Sequence, residues 1–242
     1  MKSLIVYGYA VLLVLNSIPN LVRAKRKEKT NDKHKYEEIF ETPKMVSQKV
    51  LAKTGSSVTV VGNEKLPEGP VLFVANHQGL FDILVLLGYV GKPIGFIAKA
   101  EIKKIPIISN WMEMLHCVFI NRANRREAIQ VIRQGTSHLQ NGHSMVIFPE
   151  GTRSRNNHVG EFKAGSLQLG MKAKVPIVPV AINGTYKILE ENEGRISPAS
   201  VSIEICDPFL PEYYQGKKSQ ELAKDLQLAV EKALLQLDDQ AS

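Results

Sequence analysis

The fold of this chain is decided by the run Val71-Leu72-Phe73-Val74-Ala75-Asn76-His77-Gln78-Gly79-Leu80-Phe81-Asp82. An apolar, β-branched stretch stops at a polar group, and a second apolar segment, Ile83 to Leu87, follows. That order predicts a buried strand, a short turn and a helix, with His77 at the carboxyl end of the strand and Asp82 in the first helical turn. On one continuous helix the five-residue spacing would set the two side chains about 140° apart, out of reach of each other. Across a strand–turn–helix corner they meet, and Gly79 is expected to supply the freedom to turn. A carboxylate that accepts from one imidazole nitrogen fixes the tautomer and raises the basicity of the other, an arrangement suited to a general base. The plainer alternative is a pair of capping residues, His77 closing the strand and Asp82 the helix.

Strands and helices alternate outward from this corner. Ser56–Val61 precedes it as a strand, and Ile94–Ala98, Cys117–Ile120, Ser144–Phe148, Ile177–Ile182 and Ser200–Ile205 read as further strands. Helical periodicity marks Arg125–Gln140, Lys163–Ala173 and Ser219–Leu237. The pattern predicts an α/β fold with a mostly parallel central sheet flanked by helices. Tyr36 to Lys53 carries apolar residues at Tyr36, Ile39, Phe40, Met45, Val46, Val50 and Leu51, which suits helical faces interrupted at Pro43. Three units result: residues 1–30 as a hydrophobic anchor with a basic linker, 31–55 as a helical segment either interfacial or packed on the domain, and 56–242 as the α/β domain.

Several of these strands deliver polar groups at their carboxyl ends: His77 with Asp82, then Lys99, Arg122, and Glu150-Gly151-Thr152-Arg153. In open α/β sheets that edge is where ligands bind. Arg122 and Arg153 suit a bidentate phosphate clamp. Glu150-Gly151 is expected to present backbone N–H groups to an anion, with Glu150 orienting an arginine or a substrate hydroxyl. No Gly-x-Ser-x-Gly elbow, glycine-rich phosphate loop or dinucleotide fingerprint occurs in the chain. Lacking a protein nucleophile, the base is expected to activate a hydroxyl on the substrate, giving direct transfer without a covalent enzyme intermediate. The cysteines, Cys117 and Cys206, sit in apolar strand-like settings and read as buried thiols of a reducing compartment. The histidines are scattered without ligand spacing, so no metal is expected.

Leu4 to Leu15 is almost unbrokenly apolar, and weaker apolarity runs on to Val22 through Asn16, Pro19 and Asn20. The stretch barely reaches the roughly 20 residues a spanning helix needs. Arg23, Lys25, Arg26, Lys27 and Lys29 stand where a signal peptide would carry its cleavage site, so the segment is expected to be retained as a hydrophobic, membrane-associating helix, spanning or lying in one leaflet. Those cations place the rest of the chain on the cytoplasmic face of the cell membrane and attract an anionic lipid surface. The composition agrees with a folded protein: 242 residues, 44% hydrophobic and 23% charged, with a net charge of +7. That charge allows nucleic acid, anionic lipid or phosphorylated small molecules as partners. Nucleic acid has charge alone in its favour, with no binding motif behind it, and is set aside.

The quoted residues resemble a known family, the 1-acylglycerol-3-phosphate acyltransferases with a His-x-x-x-x-Asp motif. Asn76 to Asp82 looks like its first motif. Ala98-Lys99 through Ile105-Pro106 to Val118-Phe119-Ile120-Asn121-Arg122 is similar to the second, Phe148-Pro149-Glu150-Gly151-Thr152-Arg153-Ser154 to the third, and Val175 to Val180 to the fourth. Two places depart from the pattern: Asn121 stands where many relatives have Asp, and Ser109-Asn110 replaces a glycine. The resemblance implies that His77 deprotonates the sn-2 hydroxyl of lysophosphatidic acid while Asp82 holds the imidazole. Lys99, Arg122 and Arg153 would then bind the acceptor phosphate, with Glu150, Gly151 and Thr152 shaping the pocket. It also implies an acyl thioester, acyl-CoA or acyl carrier protein, as co-substrate, with no other cofactor. Acylation of another lysolipid, or non-catalytic binding of anionic lipid, are the alternatives.

Overall fold

A computed structural model describes residues 2–121 and 125–241 of the chain. Seven strands, β1 (Ser57–Val61), β2 (Leu72–Ala75), β3 (Ile94–Lys99), β4 (Val118–Ile120), β5 (Ser144–Ile147), β6 (Ile177–Asn183) and β7 (Ser200–Ile205), form one sheet in the order β1-β7-β6-β2-β5-β3-β4. Neighbours run parallel except β6 and β7, which are antiparallel, so β7 and its partner β1 reverse the direction of the sheet at one side. The β/α alternation built the parallel part as expected.

Strand β2 is central, registered on β6 through Leu72↔Ile177 and on β5 through Leu72↔Met145. Its residues are buried from end to end because both faces are covered. Phe73 and Ala75 enter one core with Phe40, Val50, Val85 and Leu86, while Leu72 and Val74 enter the other with Leu139, Leu169 and Leu226. The helices are α1 (Lys2–Asn16), α2 (Ile18–Lys27), α3 (Lys35–Thr54), α4 (Phe81–Tyr89), α5 (Ile108–Met114), α6 (Arg125–Gln140), α7 (Gln168–Ala173), α8 (Pro211–Tyr214) and α9 (Ser219–Ala241). Helices α1, α3 and α4 supply the Phe73 face, and α6, α7 and α9 the Leu72 face.

Three local expectations are corrected. Pro43 does not interrupt the second segment, because α3 runs continuously through it. One missing N–H is outweighed by the burial of Ile39, Phe40, Val50 and Leu51 on either side. Helix α7 starts at Gln168, and Lys163 to Leu167 form turns beforehand. The apolar amino-terminal stretch is two helices, bent by 42° at Ser17. Pro19 sits in the first turn of α2 and offers no N–H back to α1, which fits a helix start and ends the run before it. The Ser17 hydroxyl donates to the Val14 carbonyl (2.6 Å) and accepts from the Trp111 indole (2.8 Å), tying the bend to α5.

Among the described residues no single helix is long and apolar enough to cross a membrane, although α1 and α2 together reach that length and composition as a bent pair. Helix α1 rests on α3 through one face and leaves Leu4, Ile5, Val11, Leu12 and Leu15 exposed.

Candidate active site

The carboxyl ends of β2, β5 and β6 converge because β5 and β6 flank β2. Beyond the last residue of β2, the buried Asn76 continues the ladder to β6 with its side chain. Its Nδ2 donates to the Ile182 carbonyl (2.9 Å), and the Ile182 N–H donates to its Oδ1 (2.8 Å). The backbone can then leave the sheet without losing its partner strand.

The turn that follows is held by carboxylates from three elements. The His77 N–H donates to Glu150 Oε1 (2.7 Å), at the end of β5. The Gln78 and Gly79 N–H groups donate to Asp82 Oδ2 (2.7 and 2.9 Å), in α4. The Leu80 N–H donates to Glu190 Oε1 (2.8 Å), after β6. On the opposite side, Ser154 N–H donates to the His77 carbonyl (2.8 Å) and Arg155 N–H to that of Gln78 (3.1 Å). Bonds to ionised acceptors are roughly twice as strong as neutral ones, so this short loop is fixed despite having no regular structure of its own.

The His77 ring meets Asp82 as the spacing predicted, with Nδ1 2.7 Å from Oδ2. Asp82 is fully buried, and its Oδ1 accepts from the Thr185 hydroxyl. With amide donors already on Oδ2, the carboxylate is an acceptor, so Nδ1 carries the proton and Nε2 keeps its lone pair. Phe148 stacks on the imidazole at 4.0 Å and 16°, fixing the ring plane. The His77 side chain is 14% exposed, enough to meet a substrate but largely shielded from water.

The remaining predicted residues divide. Glu150 does not reach toward a ligand: its oxygens are taken by His77 N–H and by Gly160 N–H (2.9 Å). Burial pushes its carboxyl above the usual carboxylate range, against the opposing pull of those two amides. Gly151 takes a left-handed φ of 74°, and its N–H closes a turn onto the Phe148 carbonyl (3.0 Å) instead of facing an anion. Thr152 and Arg153 follow on the surface. Arg153 is 42% exposed and forms an ion pair with Glu190, Nη1 to Oε1 at 3.6 Å. Lys99 is exposed at the end of β3, two strands from β2, and among the described residues it forms no ion pair with the His77 group. Arg122 lies outside the described residues.

Gly79 is a glycine for a different reason from the one its sequence context suggested. Its φ is not left-handed, but a Cβ there would lie 2.4 Å from Glu190 Oε2. Glu190 and Thr185 were missed by sequence reasoning. They lie more than 100 residues from His77 in ordinary-looking segments, and only the β6–β2 pairing brings them in. Lys163 Nζ lies beside Gly151, 3.3 Å from where a Cβ would be.

A second histidine group occupies the opposite, amino edge of the sheet. His116 and His143 precede β4 and β5, and His138 ends α6. The rings of His116 and His143 stack at 3.7 Å, His138 lies 5.3 Å from His116, and Tyr36 sets its edge against the stacked pair. Burial, reinforced by the neighbouring imidazoles and Lys35, lowers His116 to about 3 and His143 to about 4. Among the described residues no group of His, Cys, Asp and Glu is arranged to hold a metal ion. Burial also pushes the Cys117 and Cys206 thiols up to about 12, so neither is a thiolate near neutral pH.

A buried-carboxylate/histidine pair at the carboxyl edge of such a sheet defines a class, and comparison with known proteins places the chain within it. The chain belongs to the acyltransferase family, whose model matches residues 57–183. Its relatives include a probable 1-acyl-sn-glycerol-3-phosphate acyltransferase of Mycoplasma pneumoniae, 34% identical over 195 residues that cover 78% of this chain and 73% of that protein. The 1-acyl-sn-glycerol-3-phosphate acyltransferase of Saccharomyces cerevisiae is 32% identical over 174 residues, covering 70% of this chain and 57% of that one. The crystal structure of the 1-acyl-sn-glycerophosphate (LPA) acyltransferase PlsC from Thermotoga maritima superposes with a TM-score of 0.85 at 30% identity, covering 98% of this chain and 95% of the other.

Proposed function

We propose that the protein is a 1-acylglycerol-3-phosphate O-acyltransferase, moving an acyl chain from a thioester to the sn-2 hydroxyl of lysophosphatidic acid and yielding phosphatidic acid. The observation that carries the chemistry is the Asp82–His77 pair, with Nδ1 committed to the carboxylate and Nε2 left to take a proton. In this reading His77 Nε2 accepts the hydroxyl proton as the acceptor oxygen attacks the thioester carbonyl carbon. The tetrahedral adduct collapses, the C–S bond breaks, and the imidazolium returns its proton to the departing thiolate. Asp82 stabilises the imidazolium between those events, and its other donors keep its own position fixed. Glu150 acts one step back, by placing the His77 backbone. Arg153, with Lys99 and Arg122, supplies positive charge for the acceptor phosphate. The donor is acyl-CoA or acyl carrier protein, either of them an anionic carrier suited to a basic protein.

The reading extends to a membrane. Leu4, Ile5, Val11, Leu12, Leu15, Ile18 and Val22 stand exposed on α1 and α2, and Arg23, Lys25, Arg26 and Lys27 follow directly. An apolar surface continued by cations suits insertion into an anionic bilayer from the cytoplasmic side, where acceptor and product both reside.

The test is carrier release from an acyl donor in the presence of lysophosphatidic acid, of a monoacylglycerol without phosphate, and of lysophosphatidylcholine. The reading predicts release that depends on the acceptor and is fastest with lysophosphatidic acid. Fastest turnover with another lysolipid would keep the chemistry and replace the acceptor. No release with any of them would leave only lipid binding.

A further inference from the structure

Glu190 combines features that a structural carboxylate does not need. Its side chain is 7% exposed. Oε1 accepts from Leu80 N–H, while Oε2 is buried with no hydrogen-bond donor among the described residues. Capping a single backbone amide does not require a charge, and burying a half-satisfied carboxylate costs free energy that an amide or hydroxyl would avoid. Its compensating cation among the described residues is Arg153, whose Nη1 lies 3.6 Å from Oε1. That separation is an ion pair and too long for a good hydrogen bond, so the guanidinium is attracted without its donors being used up. Arg153 remains 42% exposed. Glu190 therefore touches both halves of the site: the turn that carries His77, and the arginine that follows Glu150-Gly151-Thr152. Its Oε2 also rests where Gly79 lacks a side chain, so the carboxylate is seated against the His77 turn.

We propose that Glu190 is a positioning residue that holds the Arg153 guanidinium in a fixed relation to His77, so that the acceptor's phosphate and its sn-2 hydroxyl are presented together. This rests on the reading that Arg153 binds the acceptor phosphate. Glu190 acts through Arg153 and touches neither reacting group. A negative charge beside an anion-binding arginine would, by simple addition of charges, weaken phosphate binding. The geometry assigns the opposite net effect: an arginine on a flexible stem in water loses rotamer entropy when it grips a ligand, and Glu190 fixes part of that freedom beforehand.

The experiment compares full-length wild type with Glu190→Gln, Arg153→Gln and the double variant, measuring kcat and KM for lysophosphatidic acid along with thermal unfolding. Glutamine keeps an acceptor for Leu80 N–H and removes the charge. The expected result is a KM raised on the order of tenfold in Glu190→Gln with kcat within about twofold, the signature of lost acceptor binding. The double variant should match Arg153→Gln alone, since a residue that acts through another adds nothing once that one is gone. A KM unchanged in Glu190→Gln but raised in Arg153→Gln would overturn the inference and leave the phosphate role of Arg153 standing. Effects that multiply in the double variant, or a loss confined to kcat, would also overturn it, placing Glu190 in the turn alone. If Arg153→Gln leaves KM unchanged, the phosphate reading itself fails and carries this inference with it.

Discussion

The two edges of the sheet both gather histidine, and they treat it in opposite ways. At the carboxyl edge a single imidazole has a buried carboxylate on Nδ1, and three carboxylates fix the backbone around it. At the amino edge His116 and His143 stack with Tyr36 edge-on to both, His138 lies tilted beside His116, and among the described residues no carboxylate is among the groups that shift them. One site sets a buried carboxylate against its imidazole, as the proposed mechanism requires. The other excludes positive charge: burial, neighbouring rings and Lys35 all oppose protonation. Histidine content therefore says little about chemistry until its partners are known, and the partner that matters here is Asp82.

The contrast is broken most severely at Asp82 itself. Asp82→Asn puts an NH2 among donors that need an acceptor, and it removes the charge that balances the imidazolium. Acceptor-dependent turnover is expected to fall on the order of 10²–10⁴-fold, with a lower unfolding temperature, because the fully buried side chain would face unpaired amides. Steady-state kinetics beside a thermal melt separate the two losses.

Glu150→Gln tests whether the backbone frame matters apart from the ring. One of the His77 and Gly160 amides would lose its acceptor, at about 1–3 kcal/mol. Activity should drop by about tenfold through displacement of His77, an effect smaller than that of Asp82→Asn. Activity unchanged under conditions where the variant is folded would show that Glu150 serves stability alone.

The smallest effect belongs to the amino edge. His116 and His143 have folded values of about 3 and about 4, below the ordinary histidine value near 6.5. The unfolded chain therefore binds more protons than the folded one between those limits, and stability falls as pH drops through that window. Their contribution is fully present above about pH 6.5. Replacing His143 with Phe, which keeps an aromatic stack and cannot be protonated, should flatten the acid limb of the denaturation curve and leave turnover at neutral pH within about twofold. Equal acid limbs in the two proteins would remove the amino-edge group from the account.

What could be read from the sequence follows from the range of the interactions. The β2–turn–α4 corner, the alternating elements and the His77–Asp82 contact were legible because hydrophobic period and short spacing are local. The antiparallel β6/β7 pair was not, since nothing in Ser200–Ile205 distinguishes a reversed strand from a parallel one. Glu150 was placed at a strand end, but its backbone partners were not legible: a carboxylate near arginines looks like a ligand partner, and only the buried geometry shows that it accepts from two amides. Glu190 and the His116–His138–His143 group had no sequence signal, because the residues are dispersed along the chain and meet only through the strand order. Gly79 was singled out rightly, but the flexibility argument gave way to a steric one.

In the proposed mechanism His77 takes the proton from the acceptor hydroxyl. The direct measurement is thiol or carrier release from an acyl donor by wild type and His77→Ala, with and without lysophosphatidic acid, on protein whose thermal unfolding has been checked. Release should require the acceptor in wild type and fall at least about 10²-fold in the variant while the fold persists. A His77→Ala protein that transfers as fast as wild type would contradict it.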